Sequence, residues 1–294
     1  MITFGKRDET LEYRKRTGVY GIIQDDTGRF LTVKNENGLF LIGGGVEERE
    51  NLVDALKREA LEETGYKIEI VGDKIGVAER HWVSATYPDW SQHNIGHFYR
   101  CKLLEKVAEP TEIEPIFWAT LEELEQHLFH DHQLYMLRKS IIREKIQMLK
   151  QTMNEFLSDE VLKNALNFAD FLEENDMTIN GAEISHNGKV ICYMHLGGND
   201  DYPSPWTIWT EGDYSKDAES NPVTEQTKKI AWSNINHCDN CGAGCNPGFQ
   251  KIIFDQTFEQ VCNASMAFYK PDAENLEAVK KLLLIRKYEI EKSK

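Results

Sequence analysis

Gly43-Gly44-Gly45 followed by VEERENLVDALKREALEETGY, ending at Tyr66, decides how the first half of this chain is read. Three successive glycines form a loop whose backbone can approach a ligand closely. From Glu50 to Thr64 there is neither Pro nor Gly, and Gly65 stands where a helix-ending glycine belongs. The stretch therefore predicts a loop feeding a helix over 50–64. Glu59, Glu62 and Glu63 are spaced i, i+3, i+4, which puts three carboxylates on one helical face. Val53, Leu56 and Ala60 make an adjoining apolar face that can dock on a sheet. Like charges so close repel, and a cation removes that cost. A hard divalent ion takes oxygen ligands, and Mg2+ binds through a few carboxylates together with substrate phosphates. Arg58 lies next to the cluster and can pair with one glutamate.

These positions resemble the Nudix box: Gly, five residues, Glu, seven residues, Arg-Glu, an apolar residue, any residue, Glu-Glu, any residue, Gly, apolar. Gly44, Glu50, Arg58, Glu59, Ala60, Glu62, Glu63, Gly65 and Tyr66 fill it. Seven of these positions demand one residue type, so a chance match at a given start is on the order of 10⁻⁸ to 10⁻⁹. One departure stands before the glycines, where the family commonly has Pro and this chain has Ile42. The resemblance spans about residues 1–148 and implies an α/β/α sandwich with a mixed sheet, the box helix lying against it. It implies a metal face of Gly44, Glu59, Glu62 and Glu63, with Glu59 also a general base and Arg58 orienting the glutamates. The implied cofactor is Mg2+ or Mn2+. The implied reaction is hydrolysis of a diphosphate linkage in a nucleoside diphosphate derivative or a nucleoside triphosphate. Nudix-like enzymes also recruit a further carboxylate from later in the domain, and Glu112 and Glu114 are the candidates here.

With 294 residues the chain suits two domains rather than one. Patterns restart after the first half, so the expected division is a hydrolase domain at 1–150 and a small α+β domain at 151–294. The formal net charge of −15 is shared as −5 and −10 between these halves. An acidic surface disfavours duplex DNA but admits small phosphorylated substrates that arrive with metal ions. The opening residues are charged and lack a secretory apolar core, and no run approaches a membrane span. The expectation is a cytoplasmic protein without a membrane partner; a homodimer is compatible with the sequence.

In the first half, strands are expected at 18–24 and 29–34 around a turn at 25–28, then at 67–71, 74–80 and 94–103, with 84–92 a loop. A short strand ends at Trp118, Thr120 and Glu123 form a capping box, and a helix covers 133–150. In the second half a helix is expected over 154–174, then strands 178–185 and 189–196 joined by Asn187-Gly188. A strand at 205–210, a helix at 224–234, strands at 251–254 and 265–268 and a closing helix at 272–289 follow.

His81, His93 and His97 sit among the first-half strands as candidate bases or stacking partners. Cys238, Cys241 and Cys245 form Cys-x2-Cys-x3-Cys, with His237 adjacent and Cys262 further on. Reduced thiolates at this spacing can hold Zn2+, with Cys262 favoured as fourth ligand; a redox pair or uncoordinated thiols in a glycine-rich loop are the alternatives. The rival to an enzyme is a non-enzymatic nucleotide-derivative sensor or regulator built on a Nudix-like domain. Such sensors often lose box residues, and here all seven fixed positions survive. An isoprenoid diphosphate isomerase shares the fold but wants a cysteine at the site, and Cys101 is the one cysteine of the first half.

Overall fold

The computed structural model describes residues 1–293 apart from 85, 113, 199–202, 215–221 and 240–246. It divides into Met1–Ile141 and Ile142–Lys294, each built on its own sheet. In the first unit the elements are β1 (Ile2–Phe4), β2 (Glu12–Ile23), β3 (Phe30–Asn35), β4 (Gly38–Gly45), α1 (Leu52–Thr64), β5 (Tyr66–Ile70), β6 (Gly76–Val83), β7 (Trp90–Lys106), β8 (Ile116–Ala119), α2 (Leu121–His127) and the start of α3 (Asp131–Phe156). The strands run β1-β6-β7-β2-β4-β3-β8, with β5 also on β7. β1 with β6 and β2 with β7 are parallel, and the other pairs are antiparallel, so the sheet is mixed as expected.

The period of two along a strand sorts side chains into layers. On β2, Val19 and Ile23 face one way and pack with Ala55, Leu56 and Ala60 of α1. Tyr20 and Ile22 face the other way and pack with Leu124 of α2 and Met136 and Leu137 of α3. The result is the helix–sheet–helix sandwich expected of this sequence. α1 is fixed at both ends: the Asn51 side chain accepts from Val53 N and Asp54 N, and Gly65 at φ 75° closes it in the left-handed conformation. Leu56 is fully buried, and truncating such a residue costs about 2–5 kcal/mol.

Two strands outrun their sequence signal. β2 begins at Glu12 and β7 at Trp90, because their polar ends pair with each other from Glu12–Trp90 to Ile23–Cys101. The expected 84–92 loop is correspondingly shorter. Thr120 and Glu123 do form the capping box.

The division between units falls inside α3. Met136 and Leu137 pack in the first unit, whereas Ile142, Ile146, Leu149 and Met153 belong to the core of the second. That unit continues with α4 (Asp159–Glu174), β9 (Thr178–Asn180), β10 (Glu183–His186), β11 (Lys189–Leu196), β12 (Trp206–Thr210), α5 (Glu225–Ser233), β13 (Ile235–His237), β14 (Phe249–Ile253), β15 (Gln256–Tyr269) and α6 (Ala273–Lys292). Its antiparallel sheet runs β13-β15-β12-β11-β10-β9, with β14 on β15. The Asn187-Gly188 turn is present, both residues having positive φ. The expected 178–185 strand is split by a turn at Gly181, φ 60°. Among the described residues no helix is long and apolar enough to cross a membrane.

Candidate active site

The site starts from the loop–helix junction. Glu50 lies just outside α1, and that frees its carboxylate to turn back onto Arg58. Arg58 Nε and Nη2 donate to the two Glu50 oxygens at 3.1 and 3.0 Å. Nη1 donates to Glu59 Oε1 at 3.0 Å and to Glu62 Oε2 at 2.9 Å, and Nη2 also donates to the Gly45 carbonyl at 3.1 Å. A guanidinium has five N–H groups, and here five acceptors meet them. The Glu50 hydrogen bonds, followed by those to Glu59 and Glu62, hold Arg58 charged, while Arg58 keeps Glu50 below the usual carboxylate range.

Arg58 takes one oxygen from Glu59 and one from Glu62. Ligand oxygens of Glu59, Glu62 and Glu112 lie within 4.8 Å of one another, the one such group of three or more His, Cys, Asp or Glu side chains among the described residues. Glu112 reaches the group through the backbone. Thr111 N and Glu112 N donate to the Glu62 carbonyl at 2.8 and 3.2 Å, and Val107 N and Ala108 N donate to that of Gly65 at 2.9 and 3.2 Å. Burial raises the Glu59 carboxyl, against the pull of Arg58, and Glu62 raises it further. Glu112 is exposed as a residue, but partial burial of its carboxyl still raises it, helped by the charges of Glu59, Glu114 and Glu62. Oxygen donors that resist ionising together are the donor set a hard divalent cation fits.

Glu63 stands apart from that group. Its carboxyl is buried, accepts from Gly43 N at 2.8 Å, and is pushed up to about 9 by burial and by the charges of Glu112, Glu59 and Glu114. Glu114 is exposed and outside the group of three. The glycines have separate reasons. Gly43 has φ 132°, which side chains rarely adopt, and a Cβ on Gly44 would stand 2.5 Å from Glu59 Oε2. The corresponding side of Gly45 is occupied by the Arg16 guanidinium.

His81 and His93 are stacked with ring centroids 4.0 Å apart, and His93 Nδ1 and Tyr13 Oη are 2.5 Å apart. Glu79 lies 3.4 Å from His93 Nε2. Their partners are therefore not the three clustered glutamates. Cys101 is buried in the apolar layer beneath α1, where burial pushes its thiol up to about 12. A thiol so placed is inert, which removes the feature an isomerase would need. In the second unit Cys238 N donates to Gln260 O on β15, the strand that also carries Cys262. Cys241 and Cys245 lie outside the described residues.

One row of residues carried no motif. Arg16, Asn94 and Arg80 are direct neighbours across β2, β7 and β6, on the face opposite α1. Arg80 Nη1 donates to Phe129 O at 2.7 Å and to His130 Nδ1. The Arg80 guanidinium lies 5.1 Å from the Phe129 ring centroid and 5.8 Å from that of Trp82. His132 Nε2 and Asn94 Oδ1 are 3.1 Å apart. Burial, then the nearby Arg80 charge, lowers His130 and His132 to about 3, so both are neutral at pH 7.

The NUDIX domain family model matches residues 14–139, inside the first unit. Nucleoside triphosphatase NudI of Enterobacter sp. (strain 638) is 34% identical over 122 residues, covering 38% of this chain and 86% of that protein. Among solved structures, the MutT protein of Methanosarcina mazei Go1 is 22% identical, with 46% of this chain and 99% of that one covered at a TM-score of 0.37. A MutT NUDIX hydrolase of Burkholderia pseudomallei is 27% identical, with coverages of 42% and 96% and a TM-score of 0.34. An intact acidic box and one-third identity along most of a Nudix enzyme's length agree: the chain belongs to the Nudix superfamily of pyrophosphohydrolases.

Proposed function

We propose that this protein is a divalent-cation-dependent pyrophosphohydrolase cleaving a diphosphate linkage in a nucleoside triphosphate or a nucleoside diphosphate derivative. The observation that carries the reading is the convergence of Glu59, Glu62 and Glu112 within 4.8 Å, with Glu59 and Glu112 raised by burial and mutual charge. Similarity to a nucleoside triphosphatase supports the nucleotide part. Nudix hydrolases generally use divalent metals such as Mg2+ or Mn2+. Glu59, Glu62 and Glu112 would hold the ion, with Gly44 beside them. Bound there, it would neutralise phosphate oxygens and make the phosphorus more electrophilic.

The chain's own residues do the rest. Arg58 fixes Glu59 and Glu62 in one geometry, so their oxygens are oriented before substrate arrives. Glu63, holding Gly43 N–H, keeps the glycine loop against α1. Glu59 is boxed between Arg58 and Gly44, whereas Glu112 is exposed. Glu112, one of whose oxygens belongs to the group of three, is therefore our assignment for accepting a proton from the attacking water through the other, with Glu59 as ligand alone. Arg16, beside Gly45 and within the field of Glu59, would meet the substrate phosphates.

Full-length protein assayed with Mg2+ or Mn2+ against a nucleotide panel, products identified, tests the reading. Glu62→Gln should lower kcat by about 10²–10⁴ with folding intact. Unchanged turnover in that variant, or turnover that persists in chelator, would remove the metal assignment.

A further inference from the structure

We propose that Arg80 reads the base of the nucleotide and that the base it selects is guanine. The inference rests on the nucleotide reading above and concerns the opposite end of the same ligand.

The sheet register sets the scale. Arg16 and Arg80 are each paired with Asn94, so two strand spacings, about 10 Å, separate their backbones. Arg16 stands against Gly45, which the proposed function makes the phosphate end. Arg80 stands one nucleoside length away on the same face. Between them lies Asn94, its Oδ1 3.1 Å from His132 Nε2, and the buried Tyr20 phenol, whose ionisation Asn94 and Gln133 ease. A polar floor thus runs from one arginine towards the other.

The donors of Arg80 then decide the ligand. Both Nη1 hydrogens are engaged, one by the Phe129 carbonyl and one by His130 Nδ1. His130 accepts because its imidazole is neutral, with its proton on Nε2. The Nε–H and Nη2–H edge has no acceptor among the described residues. Among the described residues no carboxylate forms a salt bridge with the half-buried Arg80 guanidinium either, although the Asp131 charge acts on it from a distance. This leaves a two-pronged donor, held by its Nη1 bonds, with no acceptor among the described residues. Such a fork matches two coplanar acceptors side by side. Guanine presents O6 and N7 in that arrangement; in a free nucleotide cytosine has the other such pair, N3 and O2, whereas adenine sets each acceptor beside a donor and thymine separates its two acceptors by a donor, so between guanine and cytosine the size of the ring decides. The rings of Trp82 and Phe129 beside the guanidinium supply flat surface for a purine.

The test is kcat/KM of the full chain for dGTP, dATP, dCTP, dTTP and 7-deaza-dGTP, which lacks the N7 acceptor. We expect dGTP to exceed the other three natural bases by roughly 10-fold or more, and 7-deaza-dGTP to lose a similar factor, mainly through KM. Arg80→Met should bring dGTP down to the level of the others. Arg80→Lys keeps the charge without the fork and should flatten the preference equally, with thermal unfolding reporting that both variants fold. Equal turnover of the natural bases by the wild-type protein, or full turnover of 7-deaza-dGTP, overturns the assignment without any variant. A loss in Arg80→Lys spread evenly over all bases also overturns it and points to an anionic group on the substrate. Failure to turn over any nucleotide with Mg2+ or Mn2+ is a different result, because it removes the nucleotide reading itself.

Discussion

Replacing Gly44 by Ala adds a single methyl group where Glu59 has nowhere to yield without leaving its place. Gly44 does not need a left-handed backbone, so alanine fits the main chain. Its Cβ, however, would stand 2.5 Å from Glu59 Oε2 and 2.6 Å from Cδ, whereas ordinary contact begins at 3.4 Å. The carboxylate must retreat by about 0.9 Å. It is the far end of a flexible side chain, and an off-rotamer torsion costs about 0.5–1.5 kcal/mol. The unfolding temperature should therefore fall by only a few degrees. Catalysis should suffer much more, since a misplacement of about 1 Å costs on the order of 10² in rate. Steady-state kinetics over a range of Mg2+ concentrations, with thermal unfolding of the metal-free protein, separate the two effects. Turnover within threefold of wild type at saturating Mg2+, with stability unchanged, would refute the claim that the Glu59 position matters. A fall in unfolding temperature well beyond 10 °C would show instead that the strain spreads along β4.

Three further outcomes are expected. Glu63 ionises near 4.5 ordinarily and at about 9 in the fold, so the folded protein retains a proton that the unfolded chain releases. The stability this supplies is complete below 4.5 and is lost as pH rises towards 9; the metal-free melting temperature should decline over that window, and Glu63→Gln should flatten the decline, an equal slope in both proteins counting against it. Arg58→Lys cannot meet five acceptors, and we expect a loss of about 1–3 kcal/mol in chemical denaturation with kcat down about 10²-fold; a lysine variant of wild-type activity would show that the glutamates need no organiser. A fragment of residues 1–150 should fold but self-associate, because Ile142, Ile146 and Leu149 then lack the core they belong to. Size-exclusion chromatography should show it monomeric and active once those three are made polar, and persistent aggregation would mean that the first unit does not fold alone.

The box helix was legible because its signals are local. Gly65 and the i, i+3, i+4 glutamates lie within a few turns of one another, and the structure departs in starting the helix at Leu52, with Asn51, inside the expected span, as its cap. The Asn187-Gly188 hairpin was legible for the same reason. The Arg16–Asn94–Arg80 row was not, because it exists only through parallel pairing between segments far apart in sequence, whose polar ends lack strand periodicity. Glu112 and Glu114 were equivalent on paper. Backbone bonds from residues 111 and 112 to Glu62 O distinguish them, and one chain's sequence does not encode such bonds in residue type. The handover of α3 from one core to the other was hidden as well, since its apolar period continues across residue 141.

The tie between the end of α1 and the 107–112 segment has a consequence for how this enzyme can vary. Four amide hydrogens and two carbonyls make that joint, and every amino acid except proline supplies the amide. Spelling at positions 107, 108 and 111 can therefore drift widely while the third carboxylate keeps its station. Proline already stands at 110, one of the two residues between the paired donors, neither of which contributes an amide to the joint. A family descended from such an ancestor would share the ligand's position without sharing any word that announces it. Comparing letters would then miss the residue in relatives where superposing backbones would find it.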